Sequence, residues 1–179
     1  MKSPRYELRR VNPANQPYDC VVLMEKLIQR LLSQKWTELR SGITSLEDGE
    51  CPGVYLLAYT DKDLEGKSIK LSDIFYVGMS NSRGGVKQRL KQFTNAIEKD
   101  VGHSAGMRFL RKYANGVPFS LIKSRKAFFV ASISIPCVVK KTARKAEDLR
   151  KMGEVVRLEY YMLAYIKEAL GEEPELNEK

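Results

Sequence analysis

Two charged residues stand where charge is expensive. Arg89 lies three residues after Val86 and four before Phe93, so it projects beside the apolar stripe of Val86, Leu90, Phe93 and Ile97. Glu159 lies four residues after Val155 and three before Met162, among Val155, Leu158, Met162, Ile166 and Ala169. An unpaired charge on a buried face is costly, so each calls for a partner. For Arg89 the partner is an anion, unless its stem lies on the core and its head reaches water. For Glu159 it is a cation, unless it sits at the stripe's edge and reaches water or a neighbouring Lys. A guanidinium can give an anion two hydrogen bonds at once. Tyr55 and Tyr76 stand in two neighbouring apolar runs, and His103 is the only histidine. Lys87, Lys91, Arg108, Arg111 and Lys112 lie along two helical stretches, either as solvated faces or as a phosphate-contacting surface.

Several elements must position these groups. Pro52 precedes the run GVYLLAYT, Gly53 to Thr60, which is apolar on both faces as a central strand is. A polar connection, Asp61 to Asp73, reads as an inserted loop or an extended hairpin arm. Ile74 to Gly78 is a second strand and Ala127 to Ile135 a third, rich in β-favouring types. Residues 84 to 98 form the Arg89 helix, Met107 to Ala114 a basic helix, and Thr142 to Leu170 a long one broken or kinked at Gly153. Gly171 and Pro174 stop it. Ahead of the first strand, residues 1 to 19 read as an irregular basic arm. Asp19 is placed to cap a helix carrying Val21, Met24, Leu27, Ile28 and Leu31, with Trp36 and Leu39 continuing its packing. Residues 41 to 52 read as loop. The expected fold is α+β: a small, mainly antiparallel three-stranded sheet flanked by helices, spanning 51–179, with an arm and helix over 1–50.

Composition bounds the partners. At 179 residues and 43% hydrophobic, the chain suits one globular domain. Lys and Arg exceed Asp and Glu by 31 to 22, a net charge of +9, which favours a polyanion. No run approaches the ~20 apolar residues of a membrane span, and no signal-peptide pattern opens the chain. Cys20, Cys51 and Cys137 suggest neither a disulfide framework nor a zinc site. A cytoplasmic location is expected.

Gly53-Val54-Tyr55, Tyr76-Val77-Gly78, the helical Arg89, the later helical Glu159 and Asn177 together resemble the GIY-YIG nuclease family. The resemblance runs from about Gly53 onward. It departs from the family in its longer connection between the tripeptides. It departs again at Met79, where many members carry a polar or basic residue. What the resemblance implies is phosphodiester hydrolysis on double-stranded DNA. Glu159 would be the one protein ligand to Mg²⁺, with Mn²⁺ as a substitute. Magnesium keeps several waters and needs few carboxylates when phosphate completes its shell. Arg89 would stabilise the charged transition state. Tyr55 would orient or deprotonate the attacking water, and Tyr76 would hydrogen-bond the phosphate or a metal-bound water. A free Tyr, with a pKa near ~10, is a poor base, so His103 is the alternative base if it is not simply a solvent-facing loop residue. Gly53 and Gly78 would support the strands, and Asn177 would pin the C-terminal segment unless it frays.

With no second DNA-binding unit after the core, the nearest likeness is to the family's compact type II restriction enzymes, acting as a homodimer or transient pair. Specificity would then come from the first helix, the inserted loop and residues 115 to 142. A mobile-element or repair nuclease is the rival enzyme reading. A catalytically silent nucleic-acid-binding or scaffold protein is the rival of another class.

Overall fold

The computed structural model describes residues 16–39, 46, 48–100, 102–122 and 125–177. Most of the expected basic arm, the loop residues 41–45 and the side chain of Asp19 lie outside the described residues. The first helix, α1, spans Gln16–Leu32, so Asp19 falls inside it and not at its cap.

The fold is α+β, built on an antiparallel sheet of four strands where three were expected. They are β1 (Thr37–Glu38), β2 (Gly53–Thr60), β3 (Tyr76–Ser80) and β4 (Ala127–Ser134), in the order β1-β4-β2-β3. The extra strand has only two residues, pairing Thr37 with Val130 and Glu38 with Phe129. Further α-helices among the described residues are α2 (Gly85–Lys99), α3 (Ser104–Tyr113) and α4 (Ala146–Leu170). Strand β3 starts and ends two residues later than expected, because a short turn at Leu71–Asp73 delays it. Helix α4 starts at Ala146, where Asp148 accepts hydrogen bonds from the backbone N–H of Lys145 and Val138. It runs through Gly153 without the expected break.

Strand β2 lies between β4 and β3, and side-chain alternation sends its residues to two cores. Val54, Leu56 and Ala58 join Val77, Phe129 and Ala131 against α1 and α4, which bury Met24, Ile28, Leu31, Val155, Leu158, Met162 and Ile166. Tyr55 and Leu57 join Tyr76, Phe128 and Val130 against α2 and α3, which bury Val86, Leu90, Phe93, Ile97, Phe109 and Leu110. Each Val, Leu, Ile, Phe or Met among them contributes roughly 1.5–3 kcal/mol when fully buried. Ala169, expected on the α4 stripe, is exposed, because the stripe turns out of contact beyond Ile166.

Both outer edges of the sheet are occupied. The long connection 61–73 crosses to β1, where Trp36 N–H donates to Lys67 O at 3.0 Å and Gly66 N–H to Trp36 O at 2.9 Å. Its middle, residues 66–68, therefore lies along the edge opposite β3 and does not project as a hairpin arm. At the β3 edge, Leu176 N–H donates to Phe75 O at 3.1 Å. The Asn177 carboxamide bonds both the N–H and the C=O of Val77, each at 2.8 Å.

Candidate active site

The strand register brings the two tyrosines together. Tyr55 is opposite Gly78 and Tyr76 is opposite Leu57, so both rings point to the α2–α3 side as diagonal neighbours. Their centroids are 6.0 Å apart. Glycine is required at two positions by close approach. A Cβ at Gly78 would lie 2.6 Å from the Tyr55 hydroxyl oxygen, and one at Gly53 would lie 2.2 Å from Ile133 O. The two tripeptides thus keep β2 tight against β4 and leave room over β3 for the Tyr55 ring.

Tyr55 is fully buried, and its hydroxyl has no hydrogen-bond partner among the described residues. Arg89 and the Tyr76 hydroxyl approach it without reaching good hydrogen-bonding geometry. Burial, first, and neighbouring Tyr76, second, push the Tyr55 hydroxyl well above the ordinary tyrosine value, while Arg89 draws it back. Burial and then Glu159 raise Tyr76, against the pull of Arg108 and Arg89. Both hydroxyls therefore stay protonated near neutral pH.

Arg89 is half-buried on α2. Its guanidinium gives Gln92 Oε1 a long 3.4 Å hydrogen bond and forms no ion pair with a carboxylate among the described residues. It lines a groove of about 680 Å³ with Gln92, Asn95, Lys99, His103 and Ser104. Ser104 also lines a second cleft of about 510 Å³, where Tyr76, Arg108, Glu159, Lys167 and Asn177 meet. That cleft lies at the β3 edge, between α3 and α4. Glu159 thus reaches the tyrosines around the edge strand, although α4 packs on the opposite face. A further hollow of about 410 Å³, between Thr94, Phe119 and Arg125, contains none of these groups.

His103 is neither at the surface nor a ready base. It is 3% exposed and caps α3, its Nδ1 accepting from the N–H of Ala105 at 3.2 Å and of Gly106 at 3.4 Å. Burial, then Arg89 and Arg108, lower its pKa to about 4. The nitrogen that would take a proton is already turned toward the helix N-terminus.

The expected DNA-binding cations divide. Arg108 belongs to the cleft: its Nη2 donates to Leu176 O at 2.8 Å and its buried Nε has no partner among the described residues. Lys87 reaches Glu50 at 3.9 Å, and Lys112 pairs with Glu175 at 3.3 Å. Lys87 and Lys91 leave α2 on the flank away from Arg89, and Lys91 and Arg111 are exposed. None of these four lines either cleft. Ser104 and the inward placement of Arg108 were missed from the sequence, because both depend on packing between distant segments.

Among the described residues no three His, Cys, Asp or Glu side chains gather to hold a metal. Glu159 is the carboxylate shared by the cleft and the tyrosine pair, beside the oxygen donors of Tyr76 and Asn177. The cleft's other carboxylate, Glu173, pairs with Lys167 at 3.0 Å, and Glu159 with its oxygen neighbours is of the kind that suits a hard cation keeping most of its waters. It does not fit zinc. No helix among the described residues is long and apolar enough to cross a membrane. No known family model, curated protein or solved structure matches the chain.

Proposed function

We propose that this chain is a metal-dependent DNA endonuclease of the GIY-YIG kind. The observation that carries the reading is a convergence of unsatisfied polar atoms. Among the described residues, Tyr55 Oη, His103 Nε2 and Arg108 Nε are buried without partners, around an Arg89 that has no ion pair with any described residue. Native proteins rarely leave such groups unpaired, and clusters of them mark sites completed by a polar ligand. With two arginines in the cluster, the ligand is an anion, and the +9 balance of the chain suits a polyanion.

Arg89 holds the phosphate by two donors and stabilises charge as it develops on the phosphorus oxygens. Tyr55, kept protonated by burial, orients the attacking water by donating or accepting one hydrogen bond, and does not take its proton. Tyr76 holds a neighbouring phosphate oxygen from the same face of the sheet. Glu159 would hold Mg²⁺, which supplies polarisation of the phosphate and a more acidic water when bound. Asn177 ties the C-terminal segment to Val77, and Leu176 O anchors Arg108, so the tail keeps one wall of the cleft in place.

Digestion of a defined plasmid with Mg²⁺, followed by sequencing of the ends, tests the proposal. Cleavage at one recurring sequence is the result expected for the restriction-type activity that the resemblance favours. Scattered cutting would move the reading to a repair or mobile-element nuclease. Duplex binding with no cleavage in Mg²⁺ or Mn²⁺ would make the chain a binding protein.

A further inference from the structure

We propose that His103 offers its Nε2–H as a neutral hydrogen-bond donor to a phosphate oxygen of the substrate strand, beside Arg89 and Arg108. The inference rests on the nuclease reading and gives His103 a role opposite to that of a base. Its Nδ1 accepts two backbone N–H groups at the start of α3, and an accepting nitrogen bears no proton. The neutral ring must therefore carry its hydrogen on Nε2. That atom is buried and has no partner among the described residues, although the residue lines the groove of Arg89 and Ser104. The ring edge packs against Phe93 with centroids 5.7 Å apart, which fixes the direction of the donor.

The neighbouring charges explain why a neutral donor is useful. Arg89 and Arg108 both act on the ring, and with burial they keep it uncharged down to a pH of about 4. A third cation between two arginines would be repelled by both. An uncharged N–H adds a directed bond to the anion without that repulsion. The same cap that satisfies α3 thus sets the tautomer of a ring that lines the groove.

Three substitutions separate this role from helix capping alone. Asparagine, serine and aspartate all cap helices well. Asparagine retains an N–H to offer, serine is too short to reach the groove, and aspartate replaces the donor by an anion. Binding of a short fluorescent DNA duplex is titrated without metal, alongside thermal unfolding of each variant. His103→Asn should bind within about threefold of the unsubstituted protein, and His103→Ser about three- to tenfold more weakly, the loss of one hydrogen bond. His103→Asp should bind more than ~10-fold more weakly, through repulsion. If one variant fails to fold, the ranking of the other two still decides. Equal binding by every folded variant would overturn the inference and leave His103 as a cap. Failure of the unsubstituted protein to bind duplex would overturn the nuclease reading itself, and is a different result.

Discussion

Tyr55 stands across from Gly78 in the β2–β3 pair, and its hydroxyl occupies the space where a side chain at 78 would begin. A Cβ there would also fall 2.6 Å from Cε1 of Tyr76, so one glycine sets the position of both rings. Gly78→Ala should cost about 1–3 kcal/mol, the usual penalty for overpacking, and should displace both hydroxyls. Denaturant unfolding measures the first effect and plasmid cleavage the second. Full cleavage by the Ala variant would separate the tyrosine pair from the chemistry.

Tyr55→Phe removes a buried hydroxyl without a partner among the described residues and keeps the ring. Stability should hold or rise by up to ~1–2 kcal/mol, because an unmet polar atom leaves the core. Cleavage should fall ~10²-fold or more if the hydroxyl orients the attacking water. Gain in stability with loss of activity, read by unfolding and single-turnover assays on one variant, is the expected signature.

Arg89→Lys tests the planar fork. A point charge on a flexible stem replaces two fixed donors, so cleavage should fall ~10²-fold or more. Duplex binding without metal should weaken only about three- to tenfold, since the charge is kept and one directed hydrogen bond is lost. Near-normal cutting would make Arg89 a snorkelling residue whose head only seeks water.

Glu159→Gln keeps size and removes charge. Cleavage in Mg²⁺ should be lost, while metal-free duplex binding should persist or tighten, because a carboxylate near phosphates repels them. The fold should survive, since an amide is cheaper to bury than a carboxylate. Loss of cleavage together with a large fall in unfolding midpoint would assign Glu159 to the structure, and retained cleavage would remove it from the site.

His103 predicts an acid limit to stability. Its folded pKa, about 4, lies below the ordinary 6.5. The unfolded chain therefore takes up a proton first as pH falls. The contribution is fully present above pH 6.5 and is lost progressively down to the folded value of about 4, roughly 3 kcal/mol across the window. Unfolding measured at intervals from pH 7 to 4 should show this slope, and His103→Asn should flatten it.

Which parts of this arrangement are legible in the sequence follows from how local their causes are. Strand β2 is legible because its apolar run is unbroken, and α2 because Val86, Leu90, Phe93 and Ile97 keep helical spacing. Strand β1 is not, since two residues, Thr37 and Glu38, owe their conformation to pairing with β4, about ninety residues away, and carry no strand pattern of their own. Gly153 reads as a break, yet it is exposed with nothing near it. Its cost of about 1 kcal/mol is outweighed by the four buried side chains that follow it. In the site, Arg89 and Glu159 declare themselves by standing beside apolar stripes. Arg108 does not, because its anchor, Leu176, is 68 residues away. His103, between Gly102 and Ser104, has the local pattern of a surface turn, and only the packing of α3 against Phe93 buries it.

The occupied sheet edges restrict how two copies of this chain can meet. Another strand could add to β3 only by displacing Leu176 from Phe75 and Asn177 from Val77. That exchange would also free Arg108 from Leu176 and open the cleft wall. At β1 an incoming strand would have to evict residues 66 and 67, which already bond Trp36. Fusion of two sheets into one continuous ribbon is therefore obstructed at both edges. On the proposed nuclease reading, a pair of copies that cuts both strands of a duplex would join through helices or loops, leaving each sheet separate.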